Sequence, residues 1–387
     1  MNLSHKIEIK PNNEQGHKLK MACGVARYAY NWGLVEWKKA YGAGLKSNGR
    51  SLKLKWNKEK PDWVYLSPKG ANQRPFDDLQ NAYKRFFKRE SKYPKLKKKG
   101  IRDSFYVEND KFSIVEDKIR LPKIGLIKLT ERPRFDGKIM SATVSRCANR
   151  WFVSISVNID QYSKKRTANG IIGIDLGVAT ALTLSTGEKL VGPKPLKKKL
   201  KTLKKRQRKH SRKKKGSNNR KKSAIRLAIL HRKIRNQRND FLHKVTTRLC
   251  RENQVVVIED LAVANMLKNH KLARAISDIG FGEFRRQLTY KSMIYGTTII
   301  VADRFFPSTK LCRMCGQLNA MPLSQRTYKC DCGHAEDRDI NAARNLYTLG
   351  YREIYARGQE GSGSADRVKP AWMNREILSA HNCVQEM

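Results

Sequence analysis

The chain has 387 residues, with 82 Lys or Arg against 34 Asp or Glu, a formal net charge of +48. A fold does not need that excess. It repels itself unless a polyanion neutralises it, which argues against an ordinary metabolic enzyme and for a nucleic-acid partner. No run approaches the roughly 18–20 apolar residues of a membrane span, and the opening MNLSHK lacks the apolar stretch of a secretory signal. A cytosolic location without membrane association is expected.

Lys6-Ile7-Glu8-Ile9-Lys10 alternates as a strand, a Pro-Asn-Asn turn follows, and residues 14–37 have a helical pattern. Residues 40–70 read as loops with short helical pieces. Over 72–92, Phe76, Leu79, Tyr83 and Phe86 form one apolar helical stripe, with Pro75 in the first turn. Lys84, Arg85, Lys88 and Arg89 load the far end with positive charge. Between 104 and 160, short β-rich segments separated by turn residues predict a small antiparallel barrel or sandwich. The first strand would complete it, and the helical stretch would be an insertion. Residues 161–169 read as a polar linker.

From Gly170 the pattern turns α/β, with strands over 171–175 and 179–185. Residues 189–239 then carry 23 Lys or Arg and no acid. Leu196, Leu200 and Leu203, and later Leu227, Leu230, Ile234 and Phe241, nevertheless keep helical spacing on either side of a Gly-Ser-Asn-Asn break at 216–219. A docked basic helical hairpin over about 194–238 is expected, with a phosphate-facing side that includes Lys204, Arg208, Arg212 and Lys221. A buried strand over 255–258, a helix over 283–295, a strand over 297–301 and a helix over 339–349 follow. The Gly/Ser-rich tail, 356–387, is expected to be disordered.

Three carboxylates stand out. Asp175 ends an apolar strand beside Gly177, Glu259 ends a second, and Asp339 opens a late helix whose next turn is Ala342-Ala343, small enough to lie against a sheet. Each alone has a plain structural reading: a turn aspartate, a strand-end solvent contact, a helix N-cap. Asp260 reads as an N-cap. Asp337 and Asp339 cannot face the same way on a regular helix, so at most one belongs to a site. Three acids meeting at a sheet edge would repel one another, and become sensible if they hold a pair of Mg²⁺ ions, with Mn²⁺ as a substitute, for phosphodiester hydrolysis.

Four of the eight cysteines, Cys312, Cys315, Cys330 and Cys332, fall in two knuckles that each end in glycine. In a reducing compartment this predicts one structural Zn²⁺ in a ribbon. The second knuckle, Cys-x-Cys, is one residue shorter than the common spacing, which leaves His334 as an alternative ligand. Cys23, Cys147, Cys250 and Cys383 are scattered and expected to be inert.

Taken together, Gly173-Ile174-Asp175-Leu176-Gly177, Ile258-Glu259-Asp260-Leu261, the run from Phe306 through Cys312 to Gly316, and Asp337-Arg338-Asp339-Ile340-Asn341-Ala342-Ala343-Arg344-Asn345 resemble the RuvC-type core of the TnpB family. Lys10-Pro11-Asn12, the residues 24–31, 240–244 and 276–284 extend the resemblance over nearly the whole chain except the tail. These are insertion-sequence proteins similar to compact type V CRISPR effectors. The resemblance implies an α/β plus β-barrel architecture. A wedge domain (1–30 and 101–160) would carry a helical recognition insert (31–100). An RNase H-like RuvC nuclease (170–306 and 336–355) would be interrupted by a zinc ribbon (307–335). It implies an RNA-guided DNA endonuclease of a transposable element whose partners are a guide RNA from the transposon end, target duplex DNA and its displaced strand, with no protein partner required. Asp175, Glu259 and Asp339 match the family's metal-binding acids. Lys69, Gln73 and Asn109 fall where the family reads a short motif beside the target. A metal-dependent transposase, an RNA-guided repressor without cleavage, and a generic basic RNA-binding protein are the competing readings.

Overall fold

The strand alternation seen at residues 6–10 extends through β1 (Asn2–Lys10), which buries Leu3, His5, Ile7 and Ile9 on one face. It belongs to a computed structural model that describes residues 1–160, 162–322 and 324–359; most of the expected disordered tail, Cys383 included, lies outside the described residues. Two compact units divide the chain, residues 1–162 with 213–232, and residues 163–212 with 233 onward. Among the described residues, no helix is long and apolar enough to cross a membrane.

In the first unit β1 leads to α1 (Asn13–Gly42), whose start is fixed by a capping box between Asn12 and Gln15. This helix runs unbroken through residues 30 and 31, where the barrel and its insert were expected to meet. Then come α2 (Gly49–Glu59), a 3₁₀ turn (Asp62–Leu66) and α3 (Lys69–Phe87). Because α3 begins at Lys69, Pro75 is interior to the helix and not in its first turn. Gly70 explains the earlier start: a β-carbon there would lie 2.5 Å from the Tyr106 carbonyl oxygen, so only glycine lets this end reach the sheet. That tertiary contact outweighs the hydrogen bond lost at Pro75.

The β-rich region forms β2 (Ser104–Glu108), a 3₁₀ turn (Asn109–Lys111), β3 (Ser113–Val115), β4 (Lys118–Leu121), β5 (Gly125–Leu129), β6 (Lys138–Cys147) and β7 (Arg150–Asn158). With β1 they make one seven-stranded sheet in the order β2-β6-β7-β1-β5-β4-β3, every pair antiparallel. Its edge strands, β2 and β3, are consecutive in the chain. Laid flat, seven strands would hold those edges about 29 Å apart. The five steps from Glu108 to Ser113 span at most about 18 Å, so the sheet curls. No ladder joins the two edges, so the curl is not closed by hydrogen bonds. Its buried face meets α1 and α3 in a core that includes Ile7, Trp56, Phe76, Ile127 and Ile155.

The second unit begins with β8 (Gly170–Asp175), β9 (Leu182–Leu184) and β10 (Lys189–Leu190), and continues with α4 (Pro195–Ser211) and α5 (Asn218–Glu252), whose residues up to Arg232 belong to the first unit. Residues 212–217 separate these helices; of the expected break at 216–219, Asn218 and Asn219 already open α5, which continues past residue 238. After it come β11 (Asn253–Glu259), α6 (Val263–Met266), α7 (Ala273–Ile279), α8 (Phe281–Tyr295), β12 (Thr298–Ala302), the short hairpin β13 (Thr327–Lys329) and β14 (Ala335–Asp337), and α9 (Arg338–Gln359), which runs beyond the expected end at 349 into the first residues of the stretch expected to be disordered. The main sheet has the order β10-β9-β8-β11-β12, with β8, β11 and β12 parallel. Both faces are covered. Ile172, Ile174, Val256 and Ile258 pack with Leu242, Phe284 and Leu288 on one side, while Val255, Val257 and Ile300 pack with Leu346 on the other. Residues 163–169 are tied down: Lys164 N donates to Ile294 O and Thr167 N to Arg251 O, both at 2.8 Å.

Candidate functional site

Parallel pairing sets Ile174 opposite Ile258, so the next residues, Asp175 and Glu259, emerge together at the carboxyl ends of adjacent strands. Period-two alternation puts Asp175 on the face of Gly173 and Glu259 on the face of Val257. That face carries α9. A β-carbon on Gly173 would lie 2.1 Å from the Ala343 carbonyl oxygen, and Ala342 and Ala343 are fully buried. Asp339, in the first turn of α9, is thereby delivered to the same sheet edge.

The electrostatics follow from burial. Asp175 is 9% exposed, and its carboxyl is pushed well above the usual carboxylate range by burial, then by the charges of Glu259 and Asp339. Burial also raises Glu259, against the opposing pull of Ser308, whose Oγ donates to Glu259 Oε1 at 2.6 Å. Arg338 donates from Nε and Nη2 to Asp339 Oδ1, both at 3.2 Å.

Neighbouring acids have other duties. Asp337 Oδ1 accepts from the backbone N–H of Asp339 at 3.1 Å and of Ile340 at 3.2 Å, and its Oδ2 meets Lys189 Nζ at 2.7 Å. Asp337, not Asp339, caps α9. Asp260 does not act as an N-cap: α6 has Ala262 there, and Asp260 instead pairs with Arg285 and Arg304, which hold its carboxyl below the usual range.

Sequence reasoning gave no individual role to Ser308, Asn341 or Asn345. Asn341 and Asn345, one turn apart and buried, donate to Leu311 O at 3.0 and 2.8 Å, and Asn345 also to Ser308 O at 2.8 Å. They hold the loop that brings Ser308 to Glu259. The i, i+4 asparagine spacing was the available signal.

The four cluster cysteines have sulfurs all within 4.8 Å of one another, with Cys312–Cys332 at 3.7 Å and Cys315–Cys330 at 3.5 Å. Four thiolates about 2.3 Å from one tetrahedral zinc stand about 3.8 Å apart, so the short second knuckle still fits. Both knuckles close on a glycine of positive φ, Gly316 at 80° and Gly333 at 84°. His334 turns to Glu336, 3.7 Å away, and stands outside the set. Backbone donation from Cys332 draws the Cys330 thiol down to about 6, whereas burial pushes Cys315 up to about 12. Ionising all four together needs a cation. Elsewhere burial raises the thiols of Cys23 to about 12 and Cys250 to about 11, consistent with inert core residues.

Among the residues singled out for nucleic acid, Lys69 is exposed at the start of α3, and Asn109 is exposed just after β2, the strand α3 meets through Gly70. Gln73 is half-buried, with Nε2 donating to the side-chain oxygens of Asn57 and Asn72, both at 2.9 Å. Lys204, Arg208 and Arg212 are exposed at i, i+4 and i+8 along α4 and its C-cap, and so share one face. Lys221 is exposed in the other unit, donating to Asn218 at 3.3 Å. The amino end of α4 has no acid of its own. Asp278 on α7 supplies the cap, accepting from Leu196 N and Lys197 N at 2.9 Å.

The chain matches three family models: one described as "Probable transposase" (OrfB of IS605) over residues 154–270, a Cas12f1-like TNB domain over 281–346, and a helix-turn-helix domain over 1–46. In this structure residues 1–46 hold one strand and one long helix. A Streptomyces pristinaespiralis protein named "Putative RNA-guided DNA endonuclease" is 40% identical over 94% of this chain and 91% of its own. Escherichia coli K12 InsQ, bearing the same description, is 31% identical over 95% and 97%. A Cas12f1 from a complex with sgRNA and target DNA shares the fold, with a TM-score of 0.54 at 16% identity over 86% of this chain and 82% of that one.

Proposed function

The chain belongs to the TnpB family, the OrfB proteins of IS605 elements, and from that premise we propose that it is an RNA-guided DNA endonuclease whose buried acids form the cutting site. The observation that carries the site is the pair Asp175 and Glu259, side by side at strand ends and both raised by burial. Such a donor set suits hard divalent cations, with Asp339 as the third carboxylate. Bound Mg²⁺ would supply water activation and charge stabilisation at a phosphodiester.

The protein's own part is positioning. Ser308 orients the Glu259 carboxylate, Arg338 steadies Asp339, and Asp337 fixes the first turn of α9. Zinc held by Cys312, Cys315, Cys330 and Cys332 would anchor the ribbon immediately ahead of that turn. In the first unit, the curled sheet would serve as the wedge domain (1–30 and 101–160) and residues 31–100, with α2 and α3, as the recognition insert. Lys69, Gln73 and Asn109 would read the motif beside the target. Lys204, Arg208, Arg212 and Lys221 would contact phosphates of guide RNA, target duplex or displaced strand. Base pairing with the guide supplies sequence choice, and protein charge holds the backbone.

The test is to purify the protein, sequence the RNA that accompanies it, and reprogramme the 3′ guide segment. Matched, motif-flanked DNA should be cut with Mg²⁺ present, and intact DNA under those conditions would overturn the reading. Strand-transfer products in place of hydrolysed ends would favour the transposase alternative, and binding without either would favour the repressor.

A further inference from the structure

The 3₁₀ turn Asp62–Leu66 leaves Trp63 44% exposed, and Tyr28 on α1 is 40% exposed beside it. Their ring centroids are 5.3 Å apart with the planes tilted by 53°, so the rings touch each other and a base would stack on an exposed outer face, not between them. The pair sits over a cleft of about 380 Å³ in the first unit, completed by Met21, Gly24, Arg27 and Asn31. We propose that this cleft is a stacking pocket for one unpaired nucleobase, a subsite that rests on the RNA-guided reading and is distinct from the cutting site.

The chemistry selects the occupant. Exposed rings of this size are costly in water and stack on the face of any base, whereas paired bases within a duplex present only their edges. The ring pair is held in place: Tyr28 packs against the fully buried Trp56 with centroids 5.7 Å apart, and both polar atoms of the Asn31 amide are bonded to the backbone of Lys97, at 3.0 and 2.7 Å. Arg27 has one ion pair, to Asp103 at 3.4 Å, which leaves guanidinium N–H groups for a base edge or phosphate. Around the cleft, residues 1–162 hold 35 Lys or Arg against 16 Asp or Glu, which favours a polyanion over an apolar peptide. Gly24 keeps the floor low: a β-carbon there would meet only Arg27 Nη2, at 3.8 Å.

That vacancy supplies a variant that spares the aromatic rings. Gly24→Leu should fill the cleft without disturbing α1, and Trp63→Ala should remove one wall. Each should weaken binding of the accompanying guide RNA, or of matched DNA by the RNA-loaded protein, by about five- to a hundredfold, the equivalent of roughly 1–3 kcal/mol for one stacked base. Trp63→Phe should restore most of it. Short-wavelength ultraviolet cross-linking followed by peptide mass spectrometry should place an adduct on Tyr28 or Trp63, and a ribose or deoxyribose on that adduct tells whether the base comes from RNA or DNA. Wild-type protein is assayed for guided cutting alongside. If it cuts, while Gly24→Leu and Trp63→Ala bind both nucleic acids as wild type and no adduct forms, the pocket is overturned and the endonuclease reading stands. If wild type neither binds RNA nor cuts, the endonuclease reading itself fails.

Discussion

The two sheets give some of their acids opposite surroundings. On the curled antiparallel sheet Glu8 lies in β1 with Arg150 of the neighbouring β7 only 2.7 Å away, and Glu131, just past β5, meets Arg134 at 2.9 Å. On the parallel sheet Glu259 has a serine hydroxyl as its bonded neighbour, and Asp175 is crowded by other acids. One face of an antiparallel sheet can stay wet, so Glu8 and Glu131 find partners there, although Glu108 of β2 keeps one carboxylate oxygen buried without a partner. A parallel strand covered on both faces leaves its carboxyl end as the place where an acid can project, and that acid is desolvated. Charge left unneutralised in a +48 protein is therefore informative by its position.

The largest test of that contrast is Asp175→Asn. Guided cutting should fall by about three orders of magnitude or more, as several kcal/mol of transition-state stabilisation require, while RNA binding holds. A carboxyl whose folded pKa is raised contributes stability below its unfolded value near pH 4 and loses it as the pH climbs through the folded value. At neutral pH without metal the wild type thus carries a cost that the amide lacks. The variant should melt higher than wild type in EDTA and gain less from Mg²⁺; a variant that melts lower would mean Asp175 serves the fold.

Next, Cys330→Ser should reduce bound zinc from near one per chain to near none and cripple cutting, checked by metal analysis; undiminished zinc would remove this cysteine from the ribbon. Gly173→Ala should cost about 1–3 kcal/mol by forcing α9 off the sheet, and should impair cutting more than RNA binding if α9 presents Asp339. Asp278→Ala should cost about 1–2 kcal/mol through loss of the α4 cap, read from denaturant midpoints.

The smallest effect concerns Lys291. Its Nζ is buried in bonds to His243 O, Thr246 Oγ1 and Thr247 Oγ1, and burial pushes its pKa down to about 8. The unfolded chain keeps that proton to about pH 10.4, so the penalty is present below about pH 8 and fades between the two values. Stability should therefore rise with pH across that window more in wild type than in Lys291→Met, and parallel profiles would contradict the assignment.

Much of this was legible in the sequence because it rests on local periodicity. The strand runs of 104–160 and the apolar stripe from Phe76 to Phe86 carry their structure within a few residues, although the helix expected over 72–92 stops at Phe87. The acids Asp175 and Glu259 were readable because each terminates an apolar strand. What escaped depends on distant residues. The start of α3 turns on a carbonyl of β2, the cap of α4 comes from α7, and Asp260 is claimed by arginines 25 and 44 positions away. The choice between Asp337 and Asp339 needed the backbone path of a single turn. No short window of sequence holds such information.

The register of β1 also sets a timetable. Leu3 pairs with Val157 and Ile9 with Trp151, so an early strand waits for one made far later. At about 5–20 residues per second a ribosome needs roughly 7–30 s to bridge that gap. Until then the long edge of β1 that β7 will pair stays open, since β5, made earlier, takes only Ile9 and Lys10 on the other edge, and a nascent chain of this protein should be most prone to capture by chaperones, or to clumping, in that interval.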